Sequence, residues 1–265
     1  MAAEDDEFFP SSPRVIYEKH PLTQVVCQLR FPPILRIQAE PPSEFQERVR
    51  ADFPFMDRMA TAALPEGVPQ EIAQLISAQI GIRGYNFHTE DRQATISISH
   101  ESISVLTKNY TRWEQFRRML DPALSALLEL YRPNFFTRIG LRYSNAIQRS
   151  RIGLQDHKWS TLLRSEILGE LALPRFEDNL TEATRTIRIK IPHGGGALFI
   201  QHGLGVVGND PDASYLIDMD FYKDEKTGVE NAGAILDRFN RQAGRGFRWF
   251  ITDRLHLSLE PTSLV

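Results

Sequence analysis

The chain has 265 residues, 42% of them hydrophobic and 25% charged, with a formal net charge of −3 and one cysteine, Cys27. That length suits one large domain or two small ones with a core of ordinary size. The balance offers no electrostatic case for general nucleic-acid binding, the lone cysteine excludes an intrachain disulfide, and no apolar run approaches the ~20 residues that span a bilayer.

These features, with an acidic N-terminus lacking the basic and apolar regions of a signal peptide, point to a cytoplasmic protein with no membrane partner. Residues 1–13 read as a flexible acidic lead-in ending at Ser11-Ser12-Pro13. The first strand falls at 24–31, perturbed by Pro32-Pro33, with 34–37 continuing it as an edge. Ser43 reads as the N-cap of a helix, with Gln46 completing a capping box and Phe45 and Val49 on one face. Residues 54–79, with three more prolines, hold a possible short helix. Strands follow at 80–88, 93–99 and 102–108. The strict alternation in Thr95-Ile96-Ser97-Ile98-Ser99 buries one face and wets the other. A helix at 111–131 carries Trp113, Phe116, Leu120, Leu124 and Leu127 at helical spacing and stops before Pro133, and 136–143 is again a strand.

The order then recurs. A helix is expected at 159–171, strands at 184–192, 197–203 and 214–222, a helix at 229–243, and a closing segment at 247–257 that reads as helical. Three antiparallel strands before a long helix thus occur twice, although the residue identities do not repeat. The expected fold class is α+β. Duplicated β-β-β-α units form an extended antiparallel sheet with the long helices packed on one face. Residues 14–150 make the first half and 151–265 the second, packed as one unit.

The stretches 21–31, 138–145, Leu216-Ile-Asp-Met-Asp220 and Phe250-Ile-Thr-Asp-Arg-Leu255 resemble a sporadically distributed prokaryotic family of uncharacterised proteins of about this length. The resemblance runs through nearly the whole chain in the same order. It implies one evolutionary unit in a prokaryotic cell and an accessory or defence-type role, and it supplies no activity and no catalytic residues.

Several motifs invite chemistry. Gly203-Leu-Gly-Val-Val-Gly208 matches the dinucleotide fingerprint, but a strand follows where the pyrophosphate needs a helix N-terminus, so a flexible loop is the better reading. His193-Gly-Gly-Gly196 matches an oxyanion-hole motif without any G-x-S-x-G elbow, and a hairpin turn accounts for it. Cys27 alternates with Val25 and Leu29 and reads as buried and structural. The seven histidines form no metal motif; His88 and His100 flank one strand and are too far apart for one site. No motif calls for a cofactor.

Asp218 and Asp220 share a strand face, as do Arg138 with Arg142 and Arg188 with Lys190. Two such carboxylates can hold a metal ion, but cross-strand ion pairs explain them more simply. Together with Gln28, Arg30, Thr95, Ser97 and Ser99 they define one polar sheet face suited to binding, because arginine forks read carboxylates and phosphates. Arg238, Arg241, Arg245 and Arg248 share a helix face and form a second basic site. The leading expectation is a non-catalytic interaction protein with a protein partner. Nucleic-acid or nucleotide binding through the arginines, and a metal-dependent enzyme using Asp218 and Asp220, are the alternatives. Oligomeric state is not written in the sequence.

Overall fold

The computed structural model describes residues 8–60, 82–207 and 213–263. In chain order the strands and helices are β1 (Val15–Tyr17), β2 (Leu22–Arg30), α1 (Leu35–Ala39), α2 (Ser43–Val49), β3 (Phe55–Ala60), β4 (Ile82–His88), β5 (Ala94–Ser99), β6 (Ser102–Thr107), α3 (Trp113–Leu130) and β7 (Arg138–Ile147). Then come α4 (Trp159–Leu162), α5 (Ser165–Leu168), α6 (Pro174–Glu177), β8 (Ala183–Ile191), β9 (Gly196–Gly205), β10 (Ser214–Lys223), α7 (Ala232–Phe250), α8 (Asp253–Ser258) and β11 (Pro261–Ser263). The fold is α+β. Nine strands form an antiparallel sheet in the order β3-β4-β5-β6-β2-β7-β10-β9-β8. The order β4-β5-β6-β2 on one side of the centre mirrors β8-β9-β10-β7 on the other.

Strand period two sorts the sheet into two faces. One row crosses all nine strands as Met56, Phe87, Ile96, Val105, Cys27, Leu141, Phe221, Leu198 and Ile189, every member apolar. The row one residue along reads Asp57, Asn86, Ser97, Ser104, Gln28, Gly140, Tyr222, Ala197 and Lys190. The first row faces the helices. α3 buries Trp113, Phe116, Leu120, Ala123 and Leu127, and α7 buries Leu236, Phe239, Ala243, Phe247 and Phe250, each at three- and four-residue steps. Their side chains and the apolar strand face form one hydrophobic cluster. No helix of the described residues is long and apolar enough to cross a membrane.

Local structure departs from the sequence expectation in five places. Residues 35–39 are helical, not an edge strand: Ile34 and Ile37 are three apart, Ile37 is buried, and Leu35 points to solvent. Ser43 is the first residue of α2, not its cap, because Pro42 takes the N-cap position. The expected helix at 159–171 is broken into α4, α5 and a 3-10 turn, with Gly169 at φ +51°. α7 runs unbroken through 243–247 to Phe250, and Thr252, whose side chain accepts from Leu255 N–H, opens the separate short α8. β1 and β11 pair with each other in a two-stranded ribbon that joins the two ends of the chain. The possible helix within 54–79 lies mostly outside the described residues, and Phe55–Ala60 of it is the edge strand β3.

The C-terminal end of the expected lead-in is anchored. Phe9 is buried against Trp249, and its N–H donates to Gln242 Oε1 at 3.2 Å. Gly246 makes room for it, since a Cβ there would lie 2.9 Å from the Phe9 ring.

Candidate functional site

The polar sheet face is organised around its central strands β7 and β10. Arg142 pairs with Asp218, its Nε donating to both carboxylate oxygens at 2.7 and 2.9 Å, with its terminal Nη2 on the same carboxylate. That fork holds the Arg142 guanidinium above its ordinary pKa, chiefly through the hydrogen bond to Asp218. Arg138 reaches Asp220, four positions off the direct register, with Nη2 at 2.7 Å from Oδ2. It can do so because Gly140 lies between: a Cβ on Gly140 would stand 2.6 Å from Arg138 Nη1. The guanidinium therefore lies flat across β7, 4.7 Å from the Tyr222 ring centroid, with Asp224 3.5 Å from its Nε. Its Nη1 is buried without a hydrogen-bond partner. Burial pushes the Asp220 carboxyl up, against the opposing pull of Arg138.

The structure thus brings Arg138, Arg142, Asp218 and Asp220 together as expected. Arg30 lies on the same face opposite Arg138 and meets Glu101 at 3.4 Å. Arg188 and Lys190 are exposed on the edge strand β8, one strand beyond β10 and β9; the Arg188 guanidinium stacks on Phe199 at 5.0 Å. Each aspartate is already held by an arginine, and no group of three or more His, Cys, Asp or Glu is placed to hold a metal ion among the described residues. Sequence reasoning missed Gly140. Its only signal was a glycine inside a strand, which marks a close approach.

The basic residues of α7 divide. Arg241, Arg245 and Arg248 line a cavity of about 420 Å³ on the helix side of the sheet, and Arg238 does not. The cavity is walled by residues 12–22, by the segment 110–113 that leads into α3, and by α7, over a floor that includes Tyr143 and Met219. The sequence could not show this, because the lining comes from five separate stretches of chain.

The decoy motifs resolve structurally. Gly203 and Gly205 are strand residues of β9, not a loop, and Gly203 at φ +152° lets the Ala183 carbonyl approach to 1.8 Å from where a Cβ would sit. Gly208 lies outside the described residues. His193, Gly194 and Gly196 have φ of +54°, +70° and +92° and make the β8–β9 hairpin turn. Cys27 is fully buried, and burial pushes its thiol up to about 12.

No protein-family model matches the chain, and no curated protein does. Among solved structures, the substrate-free duplicated taurocyamine kinase from Schistosoma mansoni aligns over 91% of this chain at 8% identity and a TM-score of 0.36. The same enzyme with bound transition state analog components aligns over 84% at 12% identity and 0.33. The chain spans 35% and 32% of the length of those two structures. A lombricine kinase aligns over 86% of this chain and 67% of its own, at 13% identity and 0.31. Likeness at this level carries no statement about fold or activity.

Proposed function

We propose that this chain is a non-catalytic binding protein that docks a protein partner on the polar face of its sheet. The observation that carries the reading is the Arg138 guanidinium laid over Gly140, stacked on Tyr222 and clamped by Asp220. A surface that only needed to be wet would not require an arginine held flat across a strand. Arginine and tyrosine fixed in place are what interface centres use, because little side-chain entropy remains to be lost on binding. The face is about 40 Å wide at ordinary strand spacing, enough for a standard interface. Its four central charges cancel in pairs, so the exposed Arg188 and Lys190 leave a positive end near β8. The fitting partner presents acidic side chains to that end.

The metal-dependent alternative is weaker, because a cation at Asp218 and Asp220 would first have to displace the Arg142 fork and the Arg138 contact. The test is quantitative capture from a prokaryotic host with wild type and with Arg138→Ala, Arg142→Ala and Asp220→Ala, followed by titration of the captured protein in purified form. Loss of affinity at unchanged fold supports the reading. Variants that only melt earlier, with affinity intact, refute it.

A further inference from the structure

We infer that the edge strand β8 docks an extended segment of a protein partner, one that alternates acidic and apolar residues and joins the sheet as a further strand. The inference rests on the reading above in one respect, that the partner brings acidic side chains to this end of the face.

The sheet ends at β3 and β8, and an edge strand turns every second backbone N–H and C=O away from its neighbour. The two edges are not alike. β3 has six residues, its register slips between Met59 and Ala60, and its Asp57 already meets His88 at 3.0 Å and Arg92 at 3.3 Å. β8 has nine residues, pairs with β9 without a shift from Ala183 to Ile191, and contains no proline. Bulges, prolines and shortness are the usual devices that keep an edge from pairing, and β8 has none of them. Among the described residues no strand pairs with its outer side. Thr184, Thr186, Ile187, Arg188 and Lys190 are all exposed.

The side chains specify what kind of strand fits. Thr186, Arg188 and Lys190 lie on the polar face, and Ile187 and Ile189 on the other. Arg188 stacks on Phe199 at 5.0 Å, which fixes the guanidinium without cancelling its charge. Among the described residues no carboxylate pairs with Arg188 or Lys190. Asp220, in the same cross-strand row as Arg188, is taken by Arg138. On the opposite face Arg185 is bound to Glu170, whereas Ile187 is 40% exposed beside the buried Ile200. An added strand with a carboxylate at every second position meets Arg188 and Lys190 across the ladder, and the apolar residues between them cover Ile187 and Ile189. The same charges argue against a second copy of this chain. β8 contains no carboxylate, so self-pairing would crowd Arg188 and Lys190 of both copies on one face with nothing to offset them. In strand addition the backbone hydrogen bonds supply affinity and the alternating side chains supply selectivity.

The experiment titrates the full chain with the capped peptide Glu-Val-Glu-Val-Glu-Val-Glu, with its counterpart carrying lysine for glutamate, and with two forms of the acidic peptide N-methylated on every valine or on every glutamate. Proteins are wild type, Arg138→Ala, and the double variant Arg188→Glu, Lys190→Glu, each with a thermal melt. The acidic peptide should bind wild type one-to-one, at least tenfold tighter than the lysine peptide, and should protect amides of β8 from hydrogen exchange. One N-methylated form should bind as the parent does and the other should lose at least tenfold, because only one set of alternate amides faces β8. The double variant, melting near wild type, should prefer the lysine peptide, which separates charge selection from misfolding. Arg138 lies on β7, three strands from β8, so Arg138→Ala should leave peptide affinity unchanged. No binding of the acidic peptide at millimolar concentration overturns the inference, as does equal binding of both N-methylated forms or wild-type preference in the double variant. A loss confined to Arg138→Ala would put the peptide on the sheet face, refuting the edge site while sparing the face reading.

Discussion

Gly140→Ala perturbs the sheet face without touching any charge. The new Cβ would stand 2.6 Å from Arg138 Nη1 and 3.2 Å from its Cζ, so the guanidinium must lift off β7. It then gives up the 2.7 Å contact with Asp220 and the stack on Tyr222. Arg138 and Asp220 are 20% and 22% exposed, so solvent screens the pair in part. A part-exposed ion pair and one cation–π contact together contribute about 1–2 kcal/mol. Alanine in place of a strand glycine returns about 0.5–1 kcal/mol of backbone entropy. The net loss of stability is therefore about 1 kcal/mol or less, measurable by urea denaturation. If the fixed arginine anchors a partner, its displacement costs at least about 2 kcal/mol of binding, or roughly 30-fold in affinity. Titration against the purified partner reads that difference. Unchanged affinity alongside the expected small stability loss would refute the role given to Arg138.

Three further outcomes follow from buried groups. His202 is buried beside the Tyr215 hydroxyl at 2.8 Å, and burial pushes its imidazole down to about 4. The unfolded chain takes up that proton near 6.5 and the folded chain only near 4, so stability present above pH 6.5 is lost as pH falls through that window, by about 3 kcal/mol at most. Denaturation midpoints from pH 7.5 to 4.5 should fall less steeply in His202→Gln; equal slopes would remove His202 as the cause. Cys27, with its thiol up at about 12 and no exposed surface, should react with a thiol reagent only at the rate of global opening, and fast labelling of the folded chain would contradict its burial. Gly203→Ala should lower stability by at least about 2 kcal/mol, since the added methyl group meets the Ala183 carbonyl at a positive φ; a melt within a degree of wild type would be inconsistent with the β8–β9 pairing described.

Alternation made the sheet legible. Thr95, Ser97 and Ser99 against Ile96 and Ile98, and Asp218 with Asp220 against Met219 and Phe221, assign faces from one strand at a time, and the pairings keep those faces consistent across nine strands. The ion pairs were legible as residue types, but their geometry was not. Arg138 reaches Asp220 diagonally only because a glycine separates them, and a strand pattern carries no information about how a long side chain lies. The helix at 35–39 was hidden by three aliphatic residues in four positions, which read equally well as strand until burial of Ile37 alone decides between them. The unbroken α7 was obscured by Gly244 and Gly246, which look like a stop signal; Gly246 is there to admit Phe9, and Gly244 faces open space. The cavity is a tertiary object whose aromatic rings come from residues 17, 110, 113, 143 and 247. Only its arginines, at helical spacing on α7, left a trace in the sequence.

If the face holding Arg142 and Asp218 recognises a protein partner, exchanging the two charges should break that recognition. Arg142→Asp combined with Asp218→Arg keeps an ion pair between β7 and β10 while reversing which strand carries which sign. Affinity for the captured partner, measured beside the melting temperature, should fall at least tenfold while the melt stays near that of wild type. Wild-type affinity in the exchanged protein would contradict the claim and leave the pair a structural feature of the sheet.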